Sequence, residues 1–140
     1  MNLTVQFDCA NINWDSVSQI LNLVGMASFP AEIHKKAFEN SWTVVFVFER
    51  DKLVGFGRAL SDGAYQAAIY DLAILPEYQS RGIGRLIVDS IKTSLPQCNF
   101  ILYAAPGKEK FYEKLNFRRM KTGMALFFKS KEMQSKGFTE

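Results

Sequence analysis

The sequence predicts an α/β fold, a mixed α+β sheet with helices on its faces, and three observations carry that prediction. Apolar residues recur with period two in some segments and near 3.6 in others, and the two kinds alternate along the chain. Two short turns, Arg50-Asp51 and Ser61-Asp62-Gly63, join β-branched and aromatic runs into hairpins. A long apolar strand then passes through glycines into an amphipathic helix at Gln79-Ser80-Arg81-Gly82-Ile83-Gly84.

In order, Leu3, Val5 and Phe7 alternate with polar residues and mark a half-buried strand. Trp14, Val17, Ile20, Leu21 and Val24 lie at helical spacing from Trp14 to about Gly25, with Asn13 or Asp15 as cap and Gly25 as stop. Pro30 to Asn40 reads as a shorter helix with Ile33, Ala37 and Phe38 inward. The apolar loop between them, Met26 to Phe29, is expected to line a cavity or lie on the sheet. Thr43 to Glu49 and Lys52 to Leu60 form a strand pair, and Gly55 and Gly57 point to a bulge or a close backbone approach.

The next strand runs from about Tyr65 to Leu75 and stops at Pro76. Gly82 to Leu95 is a helix whose Ile83, Leu86, Ile87, Ile91 and Leu95 share one face. Asn99 to Ala104 is a fifth strand, and Lys108 to Leu115 a short helix that Asn116 ends in the left-handed conformation. Phe117 to Met120 and Met124 to Lys129 suggest a terminal hairpin. Ser130 to Glu140 is polar and expected to fray. The expected order is β-α-α-β-β-β-α-β-α-β-β, a single domain over residues 1–130 with a flexible tail at 131–140.

Composition removes several function classes. With 140 residues the chain can bury roughly 70% of its unfolded surface in one core. A 48% hydrophobic and 14% aromatic content excludes a disordered or fibrous protein. The net charge of +3 comes from cations scattered among acids, not from the clustered patch of a nucleic-acid binder. Cys9 and Cys98 stand far apart, which argues against a disulfide framework and a zinc site; both are read as small buried apolar residues. No run of 18 apolar residues spans a membrane, and the N-terminus lacks a signal-peptide pattern, so a cytoplasmic protein without metal is expected.

The strand–glycine–helix junction carries the chemistry. Bare backbone N–H groups and the positive end of the helix dipole meet there, and Arg81 and Arg85 flank the glycines. Such a junction suits the phosphates of a diphosphate-bearing cofactor. A dinucleotide fingerprint would need a third glycine where Ile87 stands, and would follow the strand directly, whereas Pro76-Glu77-Tyr78-Gln79 intervenes. The G-x-x-x-x-G-K-[ST] loop of nucleoside triphosphate binders is absent.

Leu72 to Gly84 resembles the acetyl-CoA signature of the GNAT superfamily of N-acetyltransferases, whose core is Q/R-x-x-G-x-G/A. Lys110-Phe111-Tyr112-Glu113-Lys114-Leu115-Asn116-Phe117 resembles that superfamily's second signature, F-Y-E-K-L-G-F. The resemblance covers nearly the whole chain and is strongest from Tyr70 to Phe117. It implies a GNAT-like fold, a mostly antiparallel sheet splayed in a V between the fourth and fifth strands. Acetyl-CoA would lie in that gap, its pantetheine arm paired with backbone groups of Leu72, Ala73 and Ile74. Gln79, Ser80, Arg81, Gly82, Ile83, Gly84 and Arg85 would wrap the pyrophosphate.

Acetyl transfer needs an unprotonated amine, yet an alkyl amine has a pKa of about 10. A site must remove that proton, stabilise the oxyanion and protonate the leaving thiolate. The resemblance gives the last role to Tyr112. Asp71, beside the expected splay and opposite in facing to Tyr70 and Leu72, is either a base acting through a water or a loop anchor. Relatives often place a glutamate earlier on this strand, where Ala67 and Ala68 stand here. His34 borders the region the family uses for the acceptor. Ala105 replaces an asparagine that bonds the cofactor arm in many relatives, leaving backbone or Lys108 for that contact. The resemblance implies direct acetylation of a primary amine on a small molecule. Peptide or protein acetylation and a non-catalytic acyl-CoA-binding sensor are the alternatives. Phe127 and Phe128 offer a surface for a homodimer.

Overall fold

Five strands form one open sheet in the order β1-β2-β3-β4-β5, with β1 at Leu3–Gln6, β2 at Thr43–Glu49, β3 at Lys52–Ser61, β4 at Gln66–Ile74 and β5 at Asn99–Ile101. The computed structural model describes residues Met1–Glu140. Their contacts gather into two compact units, Met1–Leu102 and Tyr103–Glu140, where the sequence is read as one domain and a tail. Strands β1 to β4 are antiparallel neighbours, and β5 runs parallel to β4.

In the first unit, helices α1 (Trp14–Leu23) and α2 (Ala31–Glu39) pack together, and α1 meets β4; α3 (Ile83–Ser94) lies against β2, β3 and β4. Asn13 caps α1 by accepting from the Ser16 amide at 3.2 Å, and Gly25 closes it with φ 77°. Phe46 pairs with Phe56 across β2 and β3, and both rings meet Phe38 of α2 at 5.4 and 5.7 Å between centroids. Trp14 adds contacts to Phe38 and Phe46. Burying each such ring contributes about 1.5–3 kcal/mol, so this cluster holds α2 on the sheet.

The opposite face is built around two glycines. Val45 pairs with Gly57 and Val47 with Gly55, which leaves room for α3 to settle on the strands. A Cβ at Gly57 would stand 2.9 Å from Ile87 Cγ2. The close approach expected at these glycines is present, and register shifts fall beside both of them.

The strand β4 carries two features that shape a site. Phe56 pairs with Ala73 and Arg58 with Tyr70, so Gly57 faces two residues, Asp71 and Leu72. Asp71 adopts φ 55°, and the strand bulges there. Pairing with β5 covers only Gln66 to Ala68, against Asn99 to Ile101. From Ile69 to Ile74 the edge of β4 away from β3 has no strand partner, which is the opening expected between the fourth and fifth strands.

The second unit holds α4 (Glu109–Glu113) and α5 (Ser130–Ser135). Asn116 does take a left-handed φ of 71°, and the Phe117 amide returns to the Tyr112 carbonyl at 3.1 Å to close α4. The terminal hairpin expected at residues 117–129 is absent: neither half forms a strand, and Met124, Leu126 and Phe128 stand 98–102% exposed. Within the tail expected to fray, Ser130–Ser135 forms a helix. Gly137 ends α5 at φ 87°, Lys136 pairs with Glu132 at 3.0 Å, and Phe138 joins Tyr103 and Phe127 in a ring cluster.

Candidate active site

The turn after β4 leads directly into the start of α3. Pro76–Tyr78 forms a single 3-10 turn, and Gln79 reaches back to donate to the Ile74 carbonyl at 3.0 Å. Ser80 and Gly82 both take positive φ, 62° and 85°, which swings the chain into α3. A Cβ at Gly82 would meet nothing within 4 Å, so glycine is favoured there by backbone conformation and not by crowding. The first amide of α3 with a helical acceptor is that of Leu86, bonded to the Gly82 carbonyl at 3.0 Å. The amides of Ile83, Gly84 and Arg85 therefore point out of the helix start, where the dipole adds positive charge.

Charge gathers at the same turn. Arg81 and Arg85 are exposed and enter none of the molecule's ion pairs. Gln79, Ser80 and Gly82 are exposed as well, and Ile83 alone turns inward to anchor the helix in the core. Gln79 to Arg85 and the open edge at Leu72, Ala73 and Ile74 thus belong to one continuous segment of the first unit. Ala73 is buried, Leu72 and Ile74 are half-buried, and Leu72 Cδ1 lies beside Ile87 and Ile91 of α3 over Gly57.

Asp71 is engaged. Its Oδ2 accepts from Arg58 Nε at 2.8 Å, with the two side chains 22% and 14% exposed. Arg58 also stacks over Tyr70 and Phe38, at 5.4 and 5.5 Å, and donates to Ser41 Oγ at 3.3 Å. The expected alternation that would turn Asp71 away from Tyr70 fails, because the bulge interrupts it and both residues share Arg58. This ion pair ties Asp71 to Arg58 of the neighbouring strand β3.

His34 is buried at 3% exposure. Its Nε2 accepts from the Phe29 amide at 2.9 Å, so that nitrogen is unprotonated and occupied. Burial is the main cause that lowers its pKa; Arg58 lowers it further and Asp71 opposes. The apolar loop before α2 does not lie on the sheet. Phe29 stays 53% exposed with its ring on His34, and Ser18 and Ser28 tie the loop to α1 by bonds of 2.7 and 2.8 Å. Cys9 and Cys98 are free thiols and half-buried, not buried, and burial followed by Glu39 and Asp8 pushes the Cys9 thiol up.

Tyr112 stands in the second unit on α4, half-buried between Phe111 and Phe117, with ring centroids at 5.0 and 5.9 Å. Burial pushes its phenol above the ordinary value, so it is protonated at neutral pH. Ala105 and Lys108 are exposed. Sequence reasoning passed over Arg58, Glu49 and Tyr78. Tyr78 donates to Glu49 at 2.8 Å, a long-range pair with no local spacing to reveal it.

Comparisons with known proteins agree with this geometry. Residues 17–137 match the family described as an acetyltransferase (GNAT) domain. A protein of Pyropia yezoensis named uncharacterized N-acetyltransferase ycf52 is 32% identical over 125 residues, covering 84% of this chain and 72% of its own. The chloroplastic GCN5-related N-acetyltransferase 2 of Arabidopsis thaliana is 35% identical over 83 residues, 57% of this chain and 32% of that protein. Among solved structures, a probable acetyltransferase of meticillin-resistant Staphylococcus aureus superposes with TM-score 0.78 at 25% identity, over 90% of this chain and 99% of its own. With the open sheet in place and residues 17–137 matched by that family, this chain belongs to the GNAT family of N-acetyltransferases.

Proposed function

We propose that the protein transfers the acetyl group of acetyl-CoA directly to a primary amine of a small molecule. The observation that carries this reading is the continuous segment from Leu72 to Arg85. It offers an unpaired strand edge followed by free helix-start amides and two arginines that enter no ion pair. Acetyl-CoA supplies an activated thioester; the chain's own residues hold and orient it. The edge at Leu72 to Ile74 binds the amide-bearing arm as an added strand would, and Gln79 to Arg85 hold the diphosphate. A backbone N–H near Ala73 or Ile74 polarises the thioester carbonyl, which favours the charge of the tetrahedral intermediate.

The amine attacks as its proton leaves to water, the C–S bond breaks, and the thiolate takes a proton. Tyr112 is the proposed donor, on the strength of the second signature and of a phenol that stays protonated. Asp71 holds the bulge through Arg58 and does not itself remove the amine proton. A small acceptor is favoured over a peptide because the Ser28–Phe29 end of the apolar loop is tied to α1 and to His34. The cytoplasmic placement read from the sequence is likewise a proposal; no helix here is long and apolar enough to cross a membrane, and two similar Arabidopsis thaliana proteins are named chloroplastic.

Release of free thiol from acetyl-CoA, measured against a panel of small amines and of amine-bearing peptides, tests the reading. Faster release with small amines is expected. Release with peptides alone would move the protein to the protein-modifying alternative, and tight binding with no amine-dependent release would make it a sensor.

A further inference from the structure

We infer that Tyr78 is a positioning residue for the anion-binding turn: tethered to Glu49 of β2, its ring holds the Arg81 guanidinium beside the free amides of α3. This inference rests on acetyl-CoA being the ligand of that turn. Tyr78 is buried at 9% exposure, although it sits on an exposed turn between Glu77 and Gln79. Its Oη donates to Glu49 Oε1 at 2.8 Å, 29 residues away in sequence. That bond is the first cause pushing the phenol's pKa up, so the hydroxyl keeps its proton and the tether persists at any physiological pH.

The ring then organises cations. Arg81 Cζ lies 5.4 Å from the ring centroid and Lys52 Nζ lies 5.5 Å from it, both within range of the cation–π attraction. Lys52 in turn approaches Glu77 at 3.9 Å. Arg81 makes no ion pair, and its one hydrogen-bond contact is a weak one to Met1 Sδ at 3.5 Å. An arginine on a mobile turn loses much side-chain entropy when it grips an anion. One already laid on an aromatic face loses less, and its planar fork stays available for phosphate oxygens.

The test separates position from chemistry. Tyr78→Phe keeps the ring and removes the tether; Glu49→Ala removes the tether from the other side; Glu49→Gln leaves an oxygen able to accept. Acetyl-CoA affinity by calorimetry and the split of KM from kcat in thiol release are measured for each, with thermal unfolding as a fold control. Tyr78→Phe and Glu49→Ala are expected to weaken acetyl-CoA binding about 3- to 10-fold with kcat within about twofold, the range of one net hydrogen bond. Their combination should be no worse than either alone, and Glu49→Gln should recover most of the loss. Unchanged affinity in both single variants, or a kcat loss with affinity intact, overturns the inference. Should Tyr78→Phe not fold, the Glu49→Ala and Glu49→Gln pair decides alone. If the unaltered protein fails to bind acetyl-CoA, the proposed function itself fails; if it binds and the variants match it, only this inference does.

Discussion

Arg58 and Asp71 meet across the β3–β4 ladder at 2.8 Å, at the residue where β4 takes its left-handed step. The step would cost a non-glycine residue about 1–2 kcal/mol without compensation, and an aspartate tolerates it better than most. The guanidinium supplies the compensation. The bulge places Ala73 and Ile74, with the unpaired β4 edge, immediately before the turn proposed to bind the diphosphate. A pair of side chains on the other side of the strand thus sets where the cofactor arm is expected to lie.

Removing one partner should therefore cost more than removing both. Asp71→Ala is expected to lower stability by about 2–3 kcal/mol, since it strands a half-buried guanidinium. Asp71→Asn, which keeps a hydrogen-bonding oxygen and tolerates the positive φ, should cost under about 1 kcal/mol. Chemical denaturation of both, and of the Arg58→Met/Asp71→Ala double variant, measures the coupling. If Asp71 is instead the base, Asp71→Asn will abolish turnover while leaving stability nearly intact.

Gly82 should resist substitution for conformational reasons alone. Gly82→Ala faces open space but a φ of 85°, so a loss of about 1 kcal/mol in stability is expected, with weaker acetyl-CoA binding as the turn shifts. Gly82→Asn should be milder on both counts. Equal effects from the two would show that the conformation is not the constraint.

Gly57 makes the contrasting case. Its added methyl would stand 2.9 Å from Ile87 Cγ2, so Gly57→Ala should overpack the α3 face and cost about 1–3 kcal/mol. Shortening Ile87 to alanine in the same chain should make the pair of changes less damaging than their sum. Additive losses by denaturant titration would place the strain elsewhere.

The buried His34 predicts a pH dependence of stability. Unfolded, it takes up a proton near pH 6.5; folded, its pKa is lowered, first by burial. Between those two values the unfolded chain holds more protons, so stability rises with pH there. The contribution is complete above about pH 6.5 and is lost as pH falls through the folded value. Urea midpoints at pH 7.5 and 5.5 should differ more for the native protein than for His34→Gln, in which no imidazole titrates.

Tyr112→Phe isolates the proposed proton donor. A fall in kcat of about 100-fold or more is expected, with acetyl-CoA affinity preserved, because only the hydroxyl is removed. Unchanged turnover would take Tyr112 out of the mechanism.

Elements whose cause is local were legible in the sequence. The strand β2 was bounded to the residue, α1 to α3 within two, and Gly55, Gly57 and Asn116 meant what their types suggested. What was missed depends on partners far along the chain. The Arg58–Asp71 and Tyr78–Glu49 pairs have no periodic spacing, and the bulge that turns Asp71 toward Arg58 is invisible to a two-residue alternation. The segment 117–129 carries the composition of a hairpin, yet its residues find no ladder to join. Conversely, α5 looked too polar to persist, although Gly137 was a readable stop and Phe138 an apolar anchor just beyond it.

The central claim is that the segment from Leu72 to Arg85 holds acetyl-CoA by its diphosphate. Calorimetric titration of the purified protein with acetyl-CoA, repeated with Arg81→Gln/Arg85→Gln, tests it most directly. One-to-one binding at about 1–100 μM is predicted for the native chain, weakened at least about 10-fold in the double variant. No binding heat in the native protein, or equal affinity in the two, would contradict it.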